Sequence, residues 1–177
     1  MVWFVETVDS FREFADKIRK GTLTDRDREL LKELALASGW DEEDKVRELL
    51  GIPVDYAELH RKYLREAYEL KKKGDFAGAG RKLWGATTAL LKETLSDVPH
   101  DMGEWIEWTR LIIDKYIIKY GGELRDVLEE LLDRAWSLYE FSMCNDADAD
   151  TFGYLWERVM ESLQYAKAGR EVRMGGV

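Results

Sequence analysis

The stretch KKKGDFAGAGRKLWGATTALLK, from Lys71 to Lys92, decides the fold class because its glycines allow two opposite interpretations. A Walker-type phosphate loop has four residues between its glycines, then Lys and Ser or Thr, and it follows a buried strand. Here Gly80 is followed by Arg81, Lys82 and Leu83, and the preceding residues resemble a helix end. The apolar residues recur at helical intervals of 3, 4, 3 and 4: Phe76, Ala79, Leu83, Ala86 and Leu90. The stretch therefore predicts a helix with one buried face and no nucleotide loop.

Two glycines inside this predicted helix need a separate explanation. Gly78 and Gly85 lie with Arg81 away from the apolar stripe, and each costs about 1 kcal/mol relative to alanine in a helix interior. They are either tolerated surface glycines or points where another helix approaches closely, within the fold or across a dimer. Trp84 also lies off the stripe, which favours a second contact on that side.

Helical spacing continues along nearly the whole chain, which predicts an all-α protein. Three short helices are expected before Pro53, and their caps and glycine stops are Asp9 with Gly21, Thr24 with Gly39, and Asp41 with Gly51. We assign residues 1–52 to a short helical N-terminal extension. Longer helices are expected to begin at Asp55, Asp75, Asp101, near Glu123 and near Asp150. Residues 53–177 are thus predicted to form an up-and-down bundle of long antiparallel helices.

Composition limits the cellular setting and the class of function. The net charge of −9 argues against a protein whose main role is to coat nucleic acid. The single cysteine, Cys144, excludes an internal disulfide, and neither a signal peptide nor a membrane-length apolar run is found, so a cytoplasmic protein is expected. The charged fraction of 36%, with one Asn and one Gln, is typical of proteins from hot environments. Thermal unfolding is therefore expected above the mesophile range of about 45–65 °C.

No cofactor or metal site is predicted. The loop from Asp146 to Glu157 matches several ligand positions of a calcium-binding EF-hand, but Thr151 stands where that loop requires glycine. We expect an acidic loop in which Asp150 caps the following helix. The two histidines, His60 and His100, lack partners at metal-ligand spacing.

Basic residues cluster on the two helices that begin at Asp55 and Asp75. Such residues are usually solvated and paired with nearby acids, here Glu66 and Glu69. The alternative is a phosphate-binding surface. The candidates for nucleic-acid binding are Arg61, Lys62, Arg65, Arg81 and Lys82.

Three segments resemble the archaeal PaREP proteins, which look like members of the HEPN-like group of helical domains. They are YLREAYELKKKGDFAGAGRKLWGATTALLKE (63–93), DRAWSLYEFSM (133–143) and LWERVMESL (155–163). The resemblance covers roughly residues 55–163 and implies the same helical bundle. It also implies kinship with HEPN domains, many of which are dimeric RNases with an arginine followed four to six residues later by histidine. Here Tyr139 stands in the place of that histidine after Arg134.

This departure argues against catalysis, because tyrosine titrates near about 10 and is a poor general base at neutral pH. The leading hypothesis is a non-catalytic HEPN-like module that forms a homodimer and binds nucleic acid or a nucleotide. One alternative is a metal-independent RNase that uses Arg134 with Tyr139 or Glu140, and another is a protein-interaction scaffold. The dimer interface is expected to include either the helix with Gly78 and Gly85 or the helix with Arg134 and Tyr139.

Overall fold

The computed structural model describes residues 12–94 and 122–175, and this part of the chain is helical and contains no strand. A first helix, α1, covers residues 12–20. The other helices are α2 (Asp25–Ser38), α3 (Glu42–Leu49), α4 (Tyr56–Lys72), α5 (Phe76–Thr94), α6 (Glu123–Ser142) and α7 (Ala149–Gly175). The all-α prediction is confirmed. The helix predicted from Asp101 to Gly121 and the cap predicted at Asp9 lie outside the described residues.

Local signals determine where the helices begin and end. The three glycine stops predicted before Pro53 have left-handed backbone, with φ of 68° at Gly21, 73° at Gly39 and 72° at Gly51. Gly74, which follows α4, has the same conformation, with φ of 77°. The Thr24 side chain accepts from the Asp27 N–H in a reciprocal capping box, and Asp55 accepts from the Glu58 N–H.

The predicted cap at Asp150 is wrong. Helix α7 begins at Ala149, two residues earlier than a cap at Asp150 requires, and Asp148 Oδ1 accepts from the Thr151 N–H at 2.7 Å. Asp150 instead lies in the first turn, where its charge favours the helix dipole.

Helix α5 is the centre of the described fold. It packs along α4 on one side and α6 on another, and it also contacts α2 and α7. Every residue from Leu83 to Lys92 is buried. The prediction of a helix was therefore right, but the prediction of a single buried face was wrong. The cause is that neighbouring helices cover α5 on the face that carries Trp84 and Gly85 as well.

The Gly85 side of α5 lies directly against the end of α2. A Cβ at Gly85 would collide with the backbone carbonyl of Gly39. The Trp84 indole N–H donates to the Ala37 carbonyl at 2.8 Å, and the Trp40 indole N–H donates to the Gly85 carbonyl at 3.1 Å. The prediction of a close backbone approach is confirmed at Gly85, and the approach lies within one chain. This glycine is therefore not available for a dimer interface, which corrects that part of the assembly prediction.

Gly78 has a different reason for being glycine. The Asp75 Oδ1 atom accepts from its N–H at 2.9 Å, and a Cβ at Gly78 would lie 2.6 Å from the Asp75 carboxylate. Gly78 thus accommodates the capping side chain at the start of α5, and the atoms nearest its Cβ position belong to Asp75 and not to another helix.

Two apolar clusters hold the helices together. The larger cluster lies between α5, α6 and α7, and within it the rings of Phe76 and Phe152 stack with centroids 4.6 Å apart. The smaller cluster surrounds Trp40, whose side chain is fully buried between α4 and α5. Burying an aromatic side chain of this size removes 150–250 Å² from water, so Trp40 is a major anchor of the N-terminal helices.

Candidate functional site

A cleft of about 290 Å³ opens between the end of α3 and the first turns of α4. We call it the α3–α4 cleft. Its walls are unusually rich in charge, with three cations and three carboxylates beside a small apolar floor. The lining residues are Asp44, Arg47, Pro53, Val54, Asp55, Glu58, Leu59, Lys62 and Arg65.

The carboxylates of the cleft are already bonded within the chain. Asp44 accepts from the Lys62 ammonium at 2.8 Å, and Asp55 caps α4 through the Glu58 N–H at 3.1 Å. Glu58 itself pairs with Arg61 at 2.9 Å. Asp44 and Glu58 are therefore each paired with a cation, and Asp55 is hydrogen-bonded to the backbone.

Two of the three cations have no such partner. Among the residues that the structure describes, the side chains of Arg47 and Arg65 make no hydrogen bond or ion pair. Both are exposed at the mouth of the cleft. Lys62 offsets Asp44 and Arg61 offsets Glu58, so Arg47, Arg65 and Asp55 remain, and they leave an excess of one positive charge at the cleft. Guanidinium groups in this state match the planar, bidentate geometry of phosphate and carboxylate ligands.

The predicted basic residues fall into two groups. Lys62 and Arg65 line the cleft, whereas Arg61 projects from α4 with its side chain 62% exposed and paired to Glu58. Arg81 and Lys82 point to the N-terminal segment. Lys82 pairs with Asp41 at 2.7 Å and with Glu66 at 2.9 Å.

Pairing of the basic residues with Glu66 was predicted from the sequence, but pairing with Asp41 and Asp44 was not. These acids lie about 20 to 40 residues from their partners, beyond any helical spacing that sequence inspection could use. Arg81 likewise donates to the Trp40 carbonyl at 3.1 Å, a contact across 41 residues. The N-terminal segment thus neutralises much of the basic surface that the sequence suggested.

Tyr63 organises the polar groups behind the cleft. Its hydroxyl donates to the Asp44 carboxylate and accepts from the Asp41 N–H at 2.8 Å. Lys62 and Lys82 lie over its ring, 5.0 and 4.9 Å from the centroid. Burial and the hydrogen bond to Asp44 both raise the pKa of Tyr63, so it stays protonated. Its role is to hold Asp44 and the α2–α3 turn in place.

A second polar cluster, buried between α3 and α5, contains Glu48, Lys45 and Lys92. The Lys92 ammonium lies 2.7 Å from both Glu48 carboxylate oxygens and 4.6 Å from the Trp40 ring centroid. Burial tends to raise the pKa of Glu48, but the charges of Lys92 and Lys45 outweigh it and lower that pKa to about 2. Burial lowers the pKa of Lys92 to about 8, with repulsion from Lys45 adding to the effect.

The predicted catalytic candidates do not converge on one point. The Arg134 guanidinium is held on α7, where it donates to Ser162 Oγ at 2.8 Å and to the Arg158 carbonyl at 3.2 Å. Tyr139 is buried beside Trp136, whose indole N–H donates to Glu140 at 2.7 Å.

Helical geometry explains this separation. Positions five apart on a helix are rotated by about 140°, so Arg134 and Tyr139 lie on different faces of α6. Arg134 faces α7, and the Tyr139 ring lies 5.5 Å from that of Trp136.

Within residues 12–94 and 122–175, no three His, Cys, Asp or Glu side chains are grouped so that they could hold a metal ion. The predicted lack of calcium binding stays a prediction. None of the described helices is long and apolar enough to cross a membrane.

Comparison with known proteins gives one match. Residues 55–171 match the model of the archaeal PaREP1/PaREP8 family. No curated protein and no solved structure matches the chain.

Proposed function

The chain belongs to the archaeal PaREP1/PaREP8 family, and on that premise we propose that it is a non-catalytic, HEPN-like binding module that dimerises and binds a phosphate-bearing ligand. The ligand is nucleic acid or a nucleotide, and the α3–α4 cleft is where its phosphate is held. The proposal keeps residues 1–52 as an extension and residues 53–177 as the bundle. The start of the family match at residue 55 supports that boundary.

The choice of ligand rests on one observation. Arg47 and Arg65 lie at the same cleft, and neither has an acidic partner among the described residues. A phosphate group would supply the missing counter-charge. Its oxygens could accept from both guanidinium groups, and such charge-assisted bonds are about twice as strong as neutral ones. The cleft volume of about 290 Å³ is near the lower limit for small-molecule sites, so it suits one nucleotide unit.

The contacts of Arg134 support the non-catalytic part of the proposal. Its guanidinium is only 19% exposed and is bonded to α7 and to Glu130 on its own helix. A catalytic arginine must reach the substrate phosphate, and Arg134 would first have to break these bonds. An RNase that used Tyr139 would in addition need that side chain to leave the core, and one that used Glu140 would have to release it from the Trp136 indole N–H.

Binding can be measured by titrating the protein with a fluorescently labelled RNA oligonucleotide and, separately, with a nucleoside monophosphate. We expect the double variant Arg47→Gln/Arg65→Gln to lose at least about tenfold in affinity for both ligands, because each charged hydrogen bond contributes about 1.5–3 kcal/mol. A matched control is Arg26→Gln/Arg28→Gln, which removes two exposed arginines from α2 and changes the net charge equally. Equal effects of the two double variants would contradict the cleft, and no binding by the wild type would contradict the proposed ligand class.

The same RNA also tests for catalysis. Incubation with the protein should leave the oligonucleotide intact, and Arg134→Ala should not change that result. Cleavage that disappears in Arg134→Ala would instead establish the RNase alternative.

A further inference from the structure

Helix α7 carries a second regular stripe on the side opposite the core. Its buried face packs on the core through Phe152, Trp156, Val159, Leu163 and Ala166. The opposite stripe is solvent-facing, and its members are spaced by 3, 4, 3, 4 and 3 residues. They are Thr151, Tyr154, Arg158, Glu161, Tyr165 and Ala168, which we call the α7 seam.

The two tyrosines of the seam are the most exposed large hydrophobic residues in the described part of the chain. Tyr154 is 61% exposed and Tyr165 is 64% exposed. Alternating intervals of three and four residues define the contact stripe of a coiled coil, in which two helices pack side chain into side chain. The spacing of the α7 seam places its members on one face of the helix, as helix pairing requires, and its tyrosines supply contact area.

The seam is also complementary to itself in the antiparallel direction. Its members are symmetric about the midpoint between Val159 and Met160. If two copies of α7 lie antiparallel across a two-fold axis at that midpoint, Arg158 of each copy faces Glu161 of the other. Tyr154 then faces Tyr165, and the small residues Thr151 and Ala168 face each other at the ends.

A parallel arrangement has none of these matches. It would place Arg158 beside Arg158 and Glu161 beside Glu161, and like charges in contact are repulsive. Two-fold symmetry is moreover the commonest symmetry of homo-oligomers, and it requires a patch that complements itself.

Contacts within the chain hold the central charges ready for this pairing. Arg158 Nη1 donates to the Tyr154 hydroxyl at 3.0 Å, and its guanidinium lies 5.6 Å from the ring centroid of the same tyrosine. Glu161 keeps its side chain 58% exposed, with Arg134 3.8 Å away. The Arg158 and Glu161 side chains can therefore meet a second copy with little reorganisation.

From this symmetry we propose that the α7 seam is the surface on which a second copy of this chain docks, antiparallel and about a two-fold axis. The inference rests on the dimer in the proposed function and specifies the surface that forms it. The α7 helix then has two roles, with one face in the core of its own chain and the other in the interface. The seam spans 18 positions, a length of about 26 Å.

Charge exchange tests the pairing directly. The oligomeric state of the full chain can be measured by analytical ultracentrifugation from micromolar to submillimolar concentration, with circular dichroism to confirm folding. The wild type should dimerise. Arg158→Glu and Glu161→Arg should each raise the dissociation constant at least about tenfold, because the two-fold axis places each like-charge contact in the interface twice. The double variant Arg158→Glu/Glu161→Arg should restore the dimer, since the opposite charges face each other again.

Glu29→Arg is the matched control, because Glu29 is an exposed acid on α2, away from the seam. It should leave the dissociation constant unchanged. A wild type that stays monomeric would overturn both the seam and the dimer of the proposed function. A dimeric wild type whose single variants dimerise equally well would overturn the seam alone, and ligand binding by Arg47 and Arg65 is measured independently of either result.

Discussion

At the scale of single residues, His60 shows how strongly burial restricts a polar group in this protein. The side chain is only 4% exposed, and its Nδ1–H donates to the Ala86 carbonyl at 2.7 Å. The Nε2 atom is enclosed without a hydrogen-bond partner in the described structure. A proton on Nε2 would therefore be a buried donor without an acceptor. Burial lowers the pKa of His60, and the hydrogen bond to Ala86 opposes this only in part.

We expect the protein to lose stability as the pH falls below about 6.5 because of this histidine. In that range the unfolded chain binds a proton at His60 and the folded chain does not, so the unfolded state is favoured as the pH falls. Urea unfolding at pH 7.5 and pH 5.5 measures the loss, and His60→Gln should reduce it. The control variant His100→Gln keeps His60, so it should retain the part of the stability loss that His60 causes. An unchanged acid-side slope in His60→Gln would contradict the assignment.

The charges near His60 modify the size of this effect without changing its sign. Lys167 and Arg61 lower the pKa of His60 further, and Glu93 raises it. His60 follows Leu59, a buried residue of α4, and that position alone is compatible with either a packed or an exposed side chain. Its partner Ala86 is 26 residues away on another helix, and no local pattern could identify that contact.

At the scale of elements, α5 depends on small residues more than its neighbours do. A Cβ at Gly80 would collide with the Ser142 hydroxyl of α6, and a Cβ at Gly85 would collide with the Gly39 carbonyl. Two glycines thus let α5 approach different neighbours on different sides. The cost of glycine in a helix, about 1 kcal/mol at each position, is offset by the close packing that it permits.

Gly85→Ala and Gly153→Ala should therefore have opposite effects, although both change a helical glycine to the best helix former. Gly85→Ala forces two backbones apart and should destabilise the protein by at least about 1–3 kcal/mol. Gly153 on α7 has open space at its Cβ position, so Gly153→Ala should stabilise the protein by up to about 1 kcal/mol. Chemical denaturation measures both, and equal effects would contradict the close approach at Gly85.

Helix ends were predictable from sequence to the extent that local chemistry sets them. The glycine stops, the cap at Thr24 and the helix start at Asp55 depend on residues within four positions, and they were predicted correctly. Asp41 lies at the predicted cap position of α3, but its side chain makes no capping hydrogen bond. The cap of α7 was misplaced from Asp148 to Asp150, because the run of alternating aspartates offers several equivalent capping side chains. The burial of α5 on several sides was not predicted, because it depends on which helices pack against it in the folded chain.

At the scale of the whole molecule, the N-terminal helices and the bundle share one buried ion cluster. Glu48 on α3 is bonded to Lys92 on α5 and to Lys45, with its side chain 9% exposed. The Tyr56 hydroxyl donates to the same carboxylate at 3.0 Å. One acid therefore compensates two buried ammonium groups that come from different parts of the chain.

Removing the Glu48 carboxylate should destabilise the protein strongly. Glu48→Gln leaves Lys45 and Lys92 in the interior without a counter-charge, and breaking a buried pair in this way costs about 3–5 kcal/mol. Glu58→Gln is a matched control, because Glu58 forms an exposed pair with Arg61 and should cost at most about 1 kcal/mol. Thermal and urea unfolding at neutral pH compare the two variants, and a loss in Glu48→Gln no larger than in Glu58→Gln would contradict the role of the cluster.

The folded pKa of about 2 for Glu48 gives the same cluster a pH dependence. Its stabilisation is present above the unfolded pKa of 4.5 and is lost as the pH falls towards 2.

The candidate site was less predictable than the fold. Lys62 and Arg65 were identified from sequence as basic residues of α4, but Arg47 was not, since it belongs to a short helix that the sequence placed in the extension. The cleft exists only because α3 and the residues after it turn back onto α4. Lys82 is likewise neutralised by Asp41 because the fold brings these two distant residues together. Counting charges along one helix cannot reveal such a pair.

The burial of Trp40 against α5 has a consequence for protein synthesis. Trp40 leaves the ribosome before Gly85, and the 45 positions between them take roughly 2 to 9 s to add at about 5–20 residues per second. During that interval α2 and α3 exist without the helix that covers them, so the indole ring is open to water and to other chains. Until α5 emerges, the nascent N-terminal segment therefore exposes apolar surface of the kind that makes incomplete chains prone to association.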